Sequence, residues 1–283
     1  MKKKEIGEFL YLFYRKRTAS FLANVYKASI TGNAKDIHRA RLDVKKIFAL
    51  YGLLEMLDPT VFKHQGGYKL FRPLYRQAGK IREIQVNYLL LETPHPVETG
   101  YNSFNQWQRE EEQKAVQKFL QMVKKFKEAE LTETDKMIEK ICHRNSIFKL
   151  RTKTMAYIRD KAEQIKDLQL NEPDEDDIHK IRKTLKAMAT ISTLVYSVKS
   201  GKWLDKVITT LNKTEMMIGD WHDREVLKKA IERFMKEKNT VPEPELNSLI
   251  LLKQKLTDYN LNLIQHFMPE VSSIVAIVLI DNS

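Results

Sequence analysis

Cysteine, glycine and proline are all scarce in this chain. Cys142 is its only cysteine, so an intramolecular disulfide and a zinc site built from cysteines are both excluded. Only nine glycines and eight prolines interrupt 283 residues, and the stretches between them carry apolar residues at helical spacing. These absences predict an all-α protein in a reducing compartment.

Long apolar runs are missing as well. The terminal segment 271–280 has ten residues of this kind, against the roughly 20 that a membrane-spanning helix needs. We therefore expect a docked terminal segment and no membrane span. Near the start, Glu8 and Arg15 interrupt the apolar run that an export signal requires, so we expect a cytoplasmic protein.

The apolar spacing predicts eight helices. Their expected ranges are about 4–30, 35–57, 68–92, 103–129, 134–167, 175–199, 203–237 and 243–268.

One nine-residue pattern occurs twice, as IHRARLDVK at residues 37–45 and IHKIRKTLK at residues 178–186. Positions zero, three and seven after the histidine lie within roughly 60° of one another on a helix. Each copy therefore predicts a stripe of one imidazole, one guanidinium and one ammonium. The two basic stripes are His38, Arg41, Lys45 and His179, Arg182, Lys186. Adjoining apolar stripes that would face a core are Ile37, Val44, Ile47, Tyr51 and Ile178, Ile181, Leu185, Met188.

A second pattern follows each stripe about 40 residues later, as GKIREIQV from Gly79 and GDWHDREV from Gly219. The histidines are 141 residues apart and the glycines 140, so two features recur in the same order. Duplication explains this most simply. We predict one domain over residues 1–283, made of two four-helix bundles at about 1–132 and 133–283, related by a pseudo-two-fold axis around a basic groove.

The charge balance favours a polyanionic partner, because the formal net charge is +12. If the pseudo-two-fold brings the two basic stripes face to face, six cationic or titratable groups converge and repel one another until an anion fills the site. Arginine, lysine and histidine all suit phosphate oxygens, and a linear polyanion could engage both stripes at once. The alternative is that both stripes are ordinary solvated helix faces. Further residues expected to enlarge the site are Arg39, Lys46, Lys183, Arg72, Arg76 and Arg82.

Other kinds of site have weaker support. Gly79 and Gly219 are single glycines within helical periodicity, which favours close helix packing over a phosphate loop. The acidic residues 174–177 precede a helix and are expected to serve its N-terminus. We predict no metal site and no cofactor, because the histidines lack ligand partners at helical spacing. We also predict no catalytic residues, because no nucleophile has a local catalytic signature.

These patterns resemble those of the CHAD family, the conserved histidine α-helical domain. The residues that carry the resemblance lie in both basic stripes and in the glycine elements after them, and they cover nearly the whole chain. The resemblance implies two four-helix bundles, a basic central channel and binding of inorganic polyphosphate, with targeting to polyphosphate granules as one role. The sequence departs from the family pattern at Phe48 and Ala189, where a further basic residue is expected, and at Arg82-Glu83, where Arg-Asp is usual.

Two alternative functions stay open. A helical nucleic-acid-binding protein would share the positive charge, although the basic residues lack interleaved aromatic side chains. A histidine phosphotransfer protein would use His38 or His179, but Asp43 and Thr184 stand where such domains tend to have a small residue. We therefore expect a binding module rather than an enzyme.

Overall fold

The computed structural model describes residues 3–58, 66–92, 101–143, 147–198, 201–238 and 241–280. The regular structure in these ranges is helical, which confirms the all-α prediction. The helices are α1 Lys3–Thr31, α2 Ala34–Leu57, α3 Gly66–Glu92, α4 Asn102–Lys124, α5 Ala129–Cys142, α6 Ile147–Leu168, α7 Glu175–Val198, α8 Lys202–Glu237 and α9 Glu243–Ile280.

Local chemistry sets where the two stripe helices begin. Gly32 has a φ of 62°, in the left-handed region that glycine adopts without steric cost, and it ends α1. Asn33 then caps α2, because its side-chain oxygen accepts a hydrogen bond from the Lys35 N–H at 2.8 Å. The Asp174 carboxylate accepts from the Asp177 N–H at 2.8 Å and caps α7 in the same way. The acidic segment 174–177 thus serves a helix N-terminus, as predicted.

The predicted single helix over 134–167 is wrong, because this stretch contains two helices, α5 and α6. The two helices pack on different partners, α5 on α1 and α6 on both α7 and α9. The helix spacing nevertheless agrees with a duplication. α7 begins and ends 141 residues after α2, and α9 begins 141 residues after α4. The predicted repeats, whose boundary falls inside α5, stay a prediction.

The core spans both halves of the chain. All eight residues of the predicted apolar stripes on α2 and α7 are buried, which confirms them as core. α2 packs against α7, and α3 packs against α8, so the two basic stripes and the two glycine elements meet across one junction. A smaller second core joins α4, α8 and α9, and its largest members are Phe104, Trp107 and Phe234.

The last helix, α9, includes the predicted terminal segment 271–280. By length and composition it is the one helix in the described ranges that could cross a membrane. Phe267, Val271 and Ile274 are nevertheless buried in the main core, where α9 packs on α6 and α8. Only 28% of the most apolar window of α9 is buried, and the absence of a membrane span stays a prediction.

Candidate functional site

Four cations from the two basic stripes lie close together where α2 crosses α7. Lys186 shows this most directly, because its pKa is lowered to about 8. Burial is the largest cause, and the positive charges of Arg182, Lys45 and Arg41 lower it further. Arg182 is also half-buried, and burial together with the charge of Arg41 lowers its pKa. We call Arg41, Lys45, Arg182 and Lys186 the basic cluster.

Several donors at this site have no hydrogen-bond partner. The Nε atoms of Arg41 and Arg182 and the Nδ1 atom of His38 are buried and unpaired among the described residues. A buried donor without a partner costs about 1–3 kcal/mol, and more when the group is charged. The guanidinium of Arg41 instead lies over the ring of Tyr75 at 4.9 Å, a cation–π contact that offsets part of this cost.

Each stripe histidine faces the helix that follows it in its own half. His38 lies near Arg82 of α3, and its pKa is lowered by burial and then by the charges of Arg82 and Arg41. The ring of His179 lies 5.6 Å from that of His222 and 5.0 Å from that of Trp221, both on α8. Its pKa is lowered by burial and then by His222 and Lys229, with the nearby Glu175 opposing.

The two histidine environments correspond. Arg82 and His222 each stand three residues after the glycine of the repeated second pattern. Both histidines are therefore biased toward the neutral form, by burial together with a neighbouring basic group.

Acidic residues on α8 partly balance the basic cluster. The charges of Asp223 and Glu215 oppose the lowering of the Arg182 pKa, and Glu215 also opposes the lowering of the Lys186 pKa. Tyr75 and Glu215, which the sequence analysis missed, each stand four residues before Gly79 and Gly219 respectively. The repeated pattern, extended one helical turn upstream of each glycine, contains both positions, but the stripe spacing alone does not place them beside the basic cluster.

The glycines themselves do not both behave as predicted. A Cβ atom on Gly79 would lie 3.6 Å from the Nε of Arg41, an ordinary contact with a side chain of the basic cluster. A Cβ atom on Gly219 would meet nothing within 4 Å, so the prediction of close helix packing is wrong there.

The secondary residues predicted from the sequence are scattered. Arg39 is 62% exposed and pairs with Asp36 at 3.3 Å. Lys183 and Arg76 are exposed, and Arg72 lies 5.9 Å from the ring of Tyr68. Arg82 lies beside His38, as described above. Lys46 is exposed at a cleft that adjoins the basic cluster.

That cleft has a volume of about 410 Å³ and lies between α1, α2, α7 and α8. Lys45 and Glu215 border it and so connect it to the basic cluster. Ala189, one of the two departures from the family pattern, lines it as well, whereas Phe48 packs against Tyr68 and Tyr75 at 5.1 and 5.3 Å. Among the described residues, no group of three or more His, Cys, Asp or Glu could hold a metal ion.

Fold and site together define an all-α protein whose halves meet around a half-buried basic cluster. The chain belongs to the CHAD domain family, whose model matches residues 13–232. It is similar in structure to the CHAD domain crystal structure from the plant Ricinus communis, with a TM-score of 0.69 and 14% sequence identity. That match covers 96% of this chain and 91% of the plant chain, and at this identity it shows a shared fold. No curated protein matches the chain.

Proposed function

We propose that this protein is a non-catalytic module that binds inorganic polyphosphate through the basic cluster. The observation that carries the proposal is the half-buried position of Lys186 beside Arg41, Lys45 and Arg182, where burial first and the three positive charges second lower its pKa. Such a cluster destabilises the free protein, and an anion of matching chemistry relieves the repulsion. The CHAD resemblance supports the same ligand class.

The donor set suits phosphate in particular. A guanidinium presents a planar fork that pairs with two phosphate oxygens, and an ammonium adds a mobile point charge. The unpaired Nε atoms of Arg41 and Arg182 would then gain acceptors. Because the cations come from both α2 and α7, a linear chain of phosphates engages both helices, whereas orthophosphate engages fewer of them.

The test is calorimetric titration with long-chain polyphosphate, with orthophosphate as the short control. We expect tight binding of long chains that weakens as salt rises, because binding releases counterions. Arg182→Ala together with Lys186→Ala should reduce affinity at least tenfold, since each cation makes charge-assisted contacts with the ligand.

A matched control comes from the same two helices. Arg39→Ala with Lys183→Ala also removes one arginine and one lysine, but both side chains are exposed. If net charge alone governed binding, this pair would weaken it as much as the cluster pair. Equal losses in the two variants would refute the proposed site.

The alternative of nucleic-acid binding rests on the net charge of +12. Competition separates the two ligands. Polyphosphate should displace a short RNA at a far lower concentration of phosphate groups, and the opposite ranking would favour the nucleic-acid function. In the cell we expect a cytoplasmic protein that localises to polyphosphate granules, which a fluorescent fusion would test.

A further inference from the structure

A second cleft, of about 480 Å³, lies between α3, α4 and α8. None of the six basic-stripe residues lines it. Its volume falls within the range of about 300–1,000 Å³ that small-molecule sites occupy.

Two buried carboxamides line this cleft. Gln108 is 1% exposed, and neither its Nε2 nor its Oε1 atom has a hydrogen-bond partner among the described residues. Asn87 is 2% exposed, and its Oδ1 atom likewise lacks a partner there. Buried polar groups are nearly always paired, so these three atoms are available to a ligand or a water in the cleft.

The rest of the lining is predominantly cationic. Its charged members are Lys80, Lys114, Lys118, Lys229 and Arg233, with Glu83 and Glu111. Glu111 pairs with Lys114 at 3.1 Å and with Arg233 at 2.8 Å. Lys229 pairs with Glu175 outside the cleft. The charge of Lys80 acts on Glu83, and Lys118 forms no ion pair with any described residue. The cleft therefore suits a ligand with negative charge.

Polyphosphate cannot form hydrogen bonds with all three unpaired atoms of this cleft. Its ionised oxygens accept hydrogen bonds and could satisfy the Nε2 of Gln108. They cannot donate to the Oε1 of Gln108 or to the Oδ1 of Asn87. A single ligand that completes all three atoms would combine phosphate-like charge with an organic group that carries N–H donors next to acceptors.

We propose that this cleft binds a nucleotide, with the base against Gln108 and the phosphates among the lysines. A glutamine carboxamide presents one donor and one acceptor side by side, which is how it pairs with the edge of adenine. The cations at the cleft then pair with the phosphate oxygens. This site is independent of the polyphosphate proposal and would give the protein a second, smaller ligand.

The test compares nucleoside triphosphates with tripolyphosphate, which carries similar charge without a base. ATP, GTP, CTP and UTP are titrated by calorimetry at one salt and Mg²⁺ concentration. We expect at least one nucleotide to bind about tenfold more tightly than tripolyphosphate, a difference of about 1.4 kcal/mol. If no nucleotide exceeds tripolyphosphate in the Arg182→Ala, Lys186→Ala variant, whose basic cluster no longer binds tripolyphosphate, the proposal is overturned.

Two variants locate the interaction. Gln108→Met keeps the length of the side chain and should abolish the preference for nucleotide while tripolyphosphate still binds. Gln106→Met is the matched control, because Gln106 is exposed on the same helix, and it should keep the preference. Lys80→Ala with Lys118→Ala should weaken ATP and tripolyphosphate alike. A nucleotide preference that survives Gln108→Met would refute the assignment of the base to Gln108.

The same titrations in the Arg182→Ala, Lys186→Ala variant separate the two proposals. Nucleotide binding should persist there while long-chain polyphosphate binding falls. Loss of both would mean that ATP binds the basic cluster through its phosphates, which would overturn the nucleotide site and leave the polyphosphate proposal standing.

Discussion

Replacing Lys186 with methionine should make the free protein more stable and the polyphosphate complex weaker. The folded protein holds the pKa of Lys186 at about 8, whereas an unfolded chain holds a lysine near 10.4. The difference corresponds to about 3 kcal/mol of destabilisation whenever the lysine is charged in both states. Methionine fills a similar volume without the charge, so the variant should recover most of that free energy.

The stability difference between the Lys186→Met variant and the wild type should depend on pH. Below about pH 8 the lysine is charged in both states, and the full penalty is present. Between about pH 8 and pH 10.4 the unfolded chain binds more protons than the folded one, so the stability of the wild type rises with pH. Above that window the lysine is neutral in both states. The stability gap between variant and wild type should therefore shrink by about 3 kcal/mol across this window.

The assay is urea unfolding of both proteins, followed by far-UV circular dichroism from about pH 7 to about pH 10.5. Other groups titrate in this range, but they are common to both proteins and cancel in the gap. Lys183→Met is the control, because Lys183 is exposed on the same helix and should show a gap near zero at every pH. A gap for Lys186→Met that does not change with pH would refute the reasoning.

Three further predictions concern the histidines, the glycines and a buried aspartate. Polyphosphate should bind more tightly and with proton uptake as pH falls below about 7, where Lys186 is already largely protonated, because the lowered pKa values of His38 and His179 rise beside phosphate. Calorimetry in buffers of different ionisation enthalpy measures the uptake, and its absence would count against contact with the histidines. Gly219→Ala should stabilise the protein by about 1 kcal/mol, since the position is helical and open. Gly7→Ala should destabilise it by about 1–3 kcal/mol, since its Cβ would lie 2.7 Å from the Cys142 carbonyl oxygen. Thermal unfolding of the two glycine variants should show opposite shifts, and shifts of one sign would contradict the packing. Asp43→Ala should cost about 2–3 kcal/mol in urea unfolding, because Asp43 is buried and accepts from Ser20 at 2.7 Å and from Asn24 at 3.1 Å; a loss below about 0.5 kcal/mol would show that this network is not needed.

Helical periodicity predicted the parts of the fold that depend on local spacing. The eight apolar-stripe residues are all buried, because a residue's face on a helix follows directly from its position in the chain. The acidic segment before α7 was also predictable, since capping involves neighbours only a few residues apart.

The break between α5 and α6 was missed. No glycine or proline lies between Ala129 and Leu168, and the local signal is weaker: Asn145 and Ser146, residue types favoured at helix N-caps, directly precede the start of α6. α5 packs on α1, and α6 packs on α7 and α9, so the separation follows from contacts between distant parts of the chain. Such contacts leave no periodic signal in the sequence.

The balance of charge at the junction was also hidden. The two stripes suggested six groups of one sign, but Glu215 and Asp223 of α8 face the same cations. Their positions follow from how α8 packs on α7, which the spacing of the stripes does not encode. Tyr75, which lies against Arg41, comes from α3 for the same reason.

The departures from the family pattern and the acidic side chains of α8 both limit the repulsion among the cations of the basic cluster. Phe48 packs into an aromatic group with Tyr68 and Tyr75, and Tyr75 in turn contacts the Arg41 guanidinium. A further cation at position 48 would increase the repulsion within the basic cluster. The chain instead has the Phe48 ring there, which packs on Tyr75, the ring that contacts Arg41. Glu215 and Asp223 reduce the repulsion again. Even so, the pKa of Lys186 stays near 8, because burial lowers it first and the charges of Arg182, Lys45 and Arg41 lower it further. Folding alone does not explain this cost, because the protein would be more stable with an apolar side chain at this position. An anionic ligand would recover the cost as binding free energy.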